Sequence, residues 1–219
     1  MAAPIYVVLL GKQGAGKGTQ SELLCARHGL VHLSTGDILR AAVRAGSDLG
    51  HEVSRVLEAG ELVSDDLVNR LVEERLAAPD AAAGAVFDGY PRTRGQAEAL
   101  DAILAPEAIG VCVLVELPDG LVVERLSARR VCEGCGTTYT ATDPSAVSGV
   151  CERCGGRVVQ RADDTPEAIG ARLAAYDRDT RPLIDFYDAR GLLVAVDGDR
   201  SVEEVSASIE AALAARGLA

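Results

Sequence analysis

The 219-residue sequence has no tryptophan, two phenylalanines and one methionine, and its aromatic content is 3%. It is poor in the stacking side chains that single-stranded nucleic acid needs. Only two of the 22 basic residues are lysines, Lys12 and Lys17, and both fall in one loop. Acidic residues number 33, so the formal charge is −11. A field of that sign opposes loose binding to nucleic acid or to an anionic membrane. No apolar run approaches the roughly 20 residues needed to cross a bilayer. The start of the chain does not read as a signal peptide, since Ile5 to Leu10 is short and runs into glycines. A cytoplasmic location is expected. The three histidines, His28, His32 and His51, form no visible constellation.

What remains is a globular composition, with 48% hydrophobic and 25% charged residues. The length suits one sizeable core with a small added module. Pro4 to Leu10 is a β-branched apolar run of the kind a strand buried on both faces needs. Similar runs recur at Ala85 to Asp88, Ile109 to Leu117 and Leu192 to Asp197, with a weaker one at Leu30 to Leu33. Amphipathic stretches lie between them at Arg70 to Ala78 and Ala97 to Leu104. Ser201 and Glu204 form a capping box ahead of a last helix. Alanine-rich Ala77 to Ala85 reads as a turn. Strands alternating with helices predict an α/β fold, a parallel sheet covered on both faces. Val131 to Gln160 breaks this rhythm and reads as a small inserted module without helical period.

Gly11 to Thr19 follows the first strand and opens a helix. Its glycines let backbone N–H groups converge on phosphate oxygens, and the helix N-terminus adds positive potential. Lys17 would reach the β- and γ-phosphates. Gly18 stands where Ser or Thr usually follows the lysine, which puts magnesium ligation by Thr19 in question. Asp88 ends an apolar strand and reads either as a turn residue or as a carboxylate that holds magnesium, directly or through water. Cys132 and Cys135, then Cys151 and Cys154, are two Cys-x2-Cys pairs with fifteen residues between them. That spacing fits a structural four-thiolate zinc site, with disulfides as the rival. Cys25 and Cys112 read as core residues. Thr35 and Thr93 are good helix N-caps, and Thr93 with Gln96 forms a capping box. Arg125 and Arg129 are one helical turn apart and would share a face.

GKQGAGKGTQ (11–20), LSTGDILR (33–40), DGYPRTRGQ (88–96), RLSARR (125–130), the cysteine pairs and QRADD (160–164) together resemble the adenylate kinases with a zinc-bearing lid. The resemblance covers essentially the whole chain. It implies a P-loop core at 1–33, 65–125 and 165–219, a monophosphate-binding segment at 34–64, and a lid at 126–164. It implies that Gly14, Ala15, Gly16, Lys17, Gly18, Thr19 and Arg129 bind ATP. Thr35, Arg40, Leu62, Val63, Gly89, Arg92 and Gln96 would bind AMP, with Gly60 to Val63 favouring that acceptor. Lys17, Asp88, Arg92, Arg125, Arg129, Arg161 and Arg172 would serve phosphoryl transfer, with Mg2+ accompanying ATP and Zn2+ in the lid. Asp163 and Asp164 would fix the Arg161 guanidinium or pair with the lid's basic residues. The products would be two ADP and the protein a monomer. A kinase for UMP, CMP or GMP is the alternative; a zinc-ribbon nucleic-acid-binding protein is a remote one. Gln13 in place of proline, Tyr90 in place of Phe, and Gly170 where some relatives carry arginine are the departures.

Overall fold

A computed structural model describes residues 3–44, 46, 50, 51, 53, 54, 56 and 62–218. Five parallel strands form the central sheet: β1 (Ile5–Leu10), β2 (Val31–Ser34), β3 (Gly84–Asp88), β4 (Val111–Glu116) and β8 (Leu193–Asp197), in the order β2-β3-β1-β4-β8. Successive residues of a strand face opposite sides, which explains the continuous apolar runs. Val7, Leu9, Val111, Val113 and Val115 pack on one side with Leu24, Ile209 and Leu213. Val8, Leu10, Cys112 and Leu114 pack on the other with Leu100, Leu183 and Tyr187. Cys112 is a core residue as expected, and Cys25 packs against the first cluster.

The helices cover both faces. α1 (Lys17–His28) begins after Gly16 and ends at Gly29, both left-handed. α2 (Thr35–Arg44) follows β2 directly. α3 (Asp65–Leu76) starts five residues earlier than the apolar spacing predicts, because the first turn is polar: Asp65 and Asp66 complement the positive helix end. The alanine-rich stretch is not a bare turn. It contains a 3-10 helix at Pro79–Ala83, and β3 begins at Gly84. α4 (Arg94–Leu104) and α5 (Asp119–Ala128) flank β4 in sequence. α7 (Pro166–Ala175) runs into a π-helical turn (Tyr176–Thr180) and then α8 (Pro182–Asp188). α9 (Val202–Ala214) carries the predicted capping box, Ser201 accepting from the Glu204 N–H at 3.2 Å and Glu204 from the Ser201 N–H at 3.1 Å.

The inserted module is a second sheet, antiparallel, of β5 (Arg129–Cys132), β6 (Thr138–Thr140) and β7 (Val158–Val159) in the order β6-β5-β7. It contains one short helix, α6 (Pro144–Ser148), which the sequence reading did not expect there. Its core is small: Cys132, Tyr139, Cys151 and Val158. Of the segment expected at 34–64, residues 45, 47–49, 52, 55 and 57–61, Gly60 and Glu61 among them, lie outside the described residues.

With β1 in the centre, its loop at Gly11–Gly16 opens at the carboxyl edge of the sheet, and the register sets Leu9 beside Asp88. Gly11 is fixed there by sterics. Its φ is +139°, and a Cβ would stand 2.4 Å from the Val115 carbonyl oxygen of the neighbouring strand. Gly11→Ala is therefore expected to destabilise the protein by about 3 kcal/mol. Calorimetry should show a melting temperature lowered by roughly 6 °C or more; an unchanged value would contradict this packing.

Candidate active site

Two adjoining cavities open at this edge. The larger is floored by Gly14, Gly16, Lys17, Gly18 and Thr19 and walled by Asp88, Arg92, Arg125, Arg129, Arg161 and Arg172. The smaller is lined by Thr35, Arg40, Leu62, Val63, Gly89, Arg92 and Gln96, every residue of the expected monophosphate set. Gly36, Arg40, Gly89, Arg92, Asp163 and Arg172 line both. Ala15 is the exception among the loop residues: its side chain is buried in the core.

Lys17 Nζ donates to the loop's own carbonyls, Gly11 at 2.7 Å and Lys12 at 2.9 Å. Burial pushes its pKa down to about 8, helped by the neighbouring Arg92, Arg172 and Arg129 and opposed by Asp88. Asp88 is equally enclosed. Burial raises its pKa, but the adjacent His32 ring and the Lys17 charge overcome this and hold the carboxyl below its ordinary value. His32 Nε2 lies 3.5 Å from Asp88 Oδ2, a neighbour that the sequence reading missed because β2 and β3 meet only through the sheet. Gly18 leaves room above: a Cβ there would approach Asp88 Oδ2 to 3.5 Å. Gln13 lines the large cavity, and its Oε1 is buried without a hydrogen-bond partner.

The arginines are each held by an acid or a carbonyl. Arg129 makes a two-pronged pair with Asp164, Nε to Oδ2 at 2.7 Å and Nη2 to Oδ1 at 2.5 Å. Arg172 Nη1 donates to the same Asp164 at 3.0 Å and to the Asp163 carbonyl at 2.9 Å. Arg161 grips Asp163 with bonds of 2.9 and 2.7 Å. Asp163 thus fixes Arg161 and Asp164 pairs with Arg129, as expected, while the bond from Arg172, beyond residue 164, was not anticipated. Burial pushes the Arg172 pKa down to about 10. Arg40 is paired with Asp37.

Two expectations change. Arg125 and Arg129 are not one helical turn apart, since α5 ends at Ala128 and Arg129 opens strand β5. Arg125 instead donates to the Gly198 carbonyl at 3.0 Å, yet both residues still line the cavity. Thr35 is not an N-cap: the Ser34 hydroxyl accepts the Asp37 N–H at 3.3 Å, and Thr35 Oγ1 donates to the Gly89 carbonyl at 3.0 Å.

Arg92 is clamped on three sides. Its Nε donates to the Gly89 carbonyl at 2.7 Å, its N–H to Gln96 Oε1 at 2.7 Å, and its carbonyl accepts from Thr180 Oγ1 at 3.0 Å. The Thr93–Gln96 box is thus half formed. Thr93 caps the helix by accepting the Gln96 N–H at 3.1 Å, while the Gln96 side chain turns to Arg92 and Asp65 instead. Thr180, on the π-helical turn, was invisible in sequence.

In the lid, the sulfurs of Cys132, Cys135, Cys151 and Cys154 lie within 4.8 Å of one another. Cys132 and Cys154 are 3.4 Å apart and Cys135 and Cys151 3.6 Å, too far for disulfides. Tetrahedral coordination at about 2.3 Å per bond sets sulfurs roughly 3.8 Å apart, so the set fits a zinc ion. The two turns match: Gly136 N–H donates to the Cys132 carbonyl at 2.9 Å and Gly155 N–H to the Cys151 carbonyl at 2.8 Å. A Cβ at Gly156 would sit 2.9 Å from the Cys132 sulfur, so the cradle needs glycine there.

An adenylate kinase family model matches residues 9–192. The chain is 45% identical over 214 residues to an adenylate kinase of Symbiobacterium thermophilum, covering 96% of this chain and 99% of the relative. It is 46% identical over 210 residues to one of Carboxydothermus hydrogenoformans, covering 94% and 98%. One of Rhizobium rhizogenes is 44% identical over 211 residues, covering 94% and 98%.

The depressed Lys17 pKa has a signed consequence for stability. Between about pH 8 and its ordinary value of 10.5, the unfolded chain carries a proton on Lys17 that the native protein lacks. The penalty of burying the charge is fully present below about pH 8 and is relieved as the pH rises. Wild type should therefore gain on Lys17→Met by about 1.4 kcal/mol per unit from pH 8 to 10 in urea denaturation. A pH-independent difference would show that Lys17 titrates normally.

Proposed function

The chain belongs to the adenylate kinase family, and from that premise we propose that its cleft transfers the terminal phosphoryl group of Mg-ATP to AMP, reversibly, giving two ADP. The observation that carries the reading is the junction of the cavities, where Arg40, Arg92 and Arg172 border both. A donor over the phosphate loop and an acceptor in the smaller cavity would meet there.

Phosphoryl transfer requires little covalent help. Charge spreads over the equatorial oxygens, so aligned cations and exclusion of water do most of the catalysis. The Gly14–Thr19 backbone and the helix N-terminus hold the donor's phosphates. On binding, Lys17 exchanges its two carbonyl partners for phosphate oxygens, which favours its charged form. Arg129, Arg161 and Arg172 offer planar donors to the moving group, with Arg125 at the rim. Thr35, Arg40, Leu62, Val63, Gly89, Arg92 and Gln96 seat the acceptor. Asp88 would hold Mg2+, whose charge neutralises the donor phosphates; its ionised carboxylate beside the loop suits a hard cation.

Three parts divide this work: a core at 1–33, 65–125 and 165–219, an acceptor segment at 34–64 and a lid at 126–164. Zn2+ on Cys132, Cys135, Cys151 and Cys154 would be structural, since four thiolates leave no open position. The protein acts as a cytoplasmic monomer, in keeping with its acidic surface. No helix among the described residues is long and apolar enough to cross a membrane.

Lys17→Ala should lower turnover by at least about 100-fold in a coupled assay while the circular dichroism spectrum stays native. Near-normal turnover in the folded variant would remove Lys17 from the mechanism. Initial rates with AMP, UMP, CMP and GMP decide the acceptor, and AMP is expected to dominate. Stripping the metal should free four titratable thiols and lower the melting temperature by about 5 °C or more, the core remaining folded. Native mass spectrometry showing no metal would refute the zinc assignment.

A further inference from the structure

Gln96 lines the smaller cavity, and its amide carries a donor and an acceptor on separate atoms. An amide can read a base edge in either of two opposite senses, depending on which end points where. Its orientation therefore decides which base fits, and that orientation is set from outside the cavity.

Two partners fix it. The Arg92 N–H points at one end of the amide from 2.7 Å, and Asp65 Oδ1 lies 2.8 Å from the other. A backbone N–H can only donate and an ionised carboxylate can only accept, so Oε1 must face Arg92 and Nε2 must face Asp65. Rotating the amide by half a turn would set donor against donor and oxygen against oxygen. Asp65 is itself held: Thr93 Oγ1 donates to its other oxygen at 2.6 Å. Gly95 leaves the space this needs, since a Cβ there would come within 3.2 Å of Asp65 Oδ2. Gln96 is 2% exposed, so water cannot easily stand in for a lost partner.

We propose that Asp65 is a specificity-determining positioning residue: by holding the Gln96 amide in one sense, it makes the acceptor site select a purine monophosphate with an amino group at C6 over one with a carbonyl there. After these two bonds, Oε1 keeps one lone pair and Nε2 keeps one hydrogen. That remaining pair accepts from an exocyclic amino group and donates to the adjacent ring nitrogen, the adenine pattern. A 6-oxo purine presents the reverse, an acceptor oxygen beside a ring N–H, and would meet like against like. Asp65 touches no substrate and acts only through Gln96. The proposal rests on Gln96 facing the acceptor, as argued above.

AMP and IMP differ at this edge alone, so their ratio is the readout. In Asp65→Ala only the Arg92 N–H still orients the amide, and kcat/KM for AMP relative to IMP should fall about tenfold, through KM rather than kcat. Asp65→Asn, which can offer Gln96 either an oxygen or an amino group, should shift the ratio in the same direction by less. A structural role alone would lower both acceptors together and leave the ratio unchanged. An unchanged ratio in a folded Asp65→Ala protein overturns the proposal; if that variant does not fold, an unchanged ratio in Asp65→Asn does so. Phosphotransfer to AMP by the wild-type protein tests the underlying activity separately, so the two ideas fail independently.

Discussion

Concentrated positive charge is the constraint around which this molecule is built. Lys17, Arg40, Arg92, Arg129, Arg161 and Arg172 line one cleft, and most are largely withdrawn from water. Left alone, such a cluster would repel itself and lose its hydration. The protein answers with acids at matched positions. Asp164, whose side chain has no exposure, lies between Arg129 and Arg172, and Asp163 takes Arg161. These carboxylates present to the guanidinium groups the planar oxygen pairs that phosphate would present. Part of the cleft's charge is thus offset from within before any ligand arrives, and its arginines are already spread and oriented. An overall charge of −11 is compatible with polyanion binding because the cations are gathered here and counterbalanced elsewhere.

The sheet order turns that chemistry into geometry. β1 sits in the centre, so the loop after it opens between the ends of β3 and β4. Asp88 ends β3 beside Leu9, and Gly89 and Arg92 just after it line the smaller cavity. The phosphate loop, the carboxylate and the arginine shared by both cavities therefore descend from two hydrogen-bonded strands. Gly198 reinforces the arrangement from β8: a Cβ there would lie 2.7 Å from the Glu116 carbonyl oxygen and 3.4 Å from that of Ala15. Its own carbonyl receives Arg125.

Features local in sequence were readable in advance. The five strands, the phosphate loop, the capping box at Ser201 and the cysteine spacing each depend on residues within about twenty positions of one another. Contacts between distant segments were not readable. His32 meets Asp88 across a strand pair, Thr180 reaches Arg92 from a helical turn 88 residues on, and Asp65 orients Gln96 from another helix. Helix periodicity also misled at Arg129, where the register with Thr140 pulls the chain out of the helix and into a strand. The short helix α6 escaped notice because five residues cannot display a period.

The inserted module shows how little apolar packing a small insertion can carry. Its core holds Tyr139 and Val158 besides two cysteines, with Ala146 packed alongside, far too little apolar surface to order so long an insertion. The tight turns at both cysteine pairs and the space beside Gly156 bring four sulfurs together instead. Four sulfurs so close match the spacing of a tetrahedral thiolate site, and a metal bound there would tie the two turns together. At its base, Arg129 is paired with Asp164 and Arg161 with Asp163. These pairs hold both guanidinium groups against the larger cavity, which Arg129 and Arg161 line, a placement that free side chains on an unbraced loop would not keep.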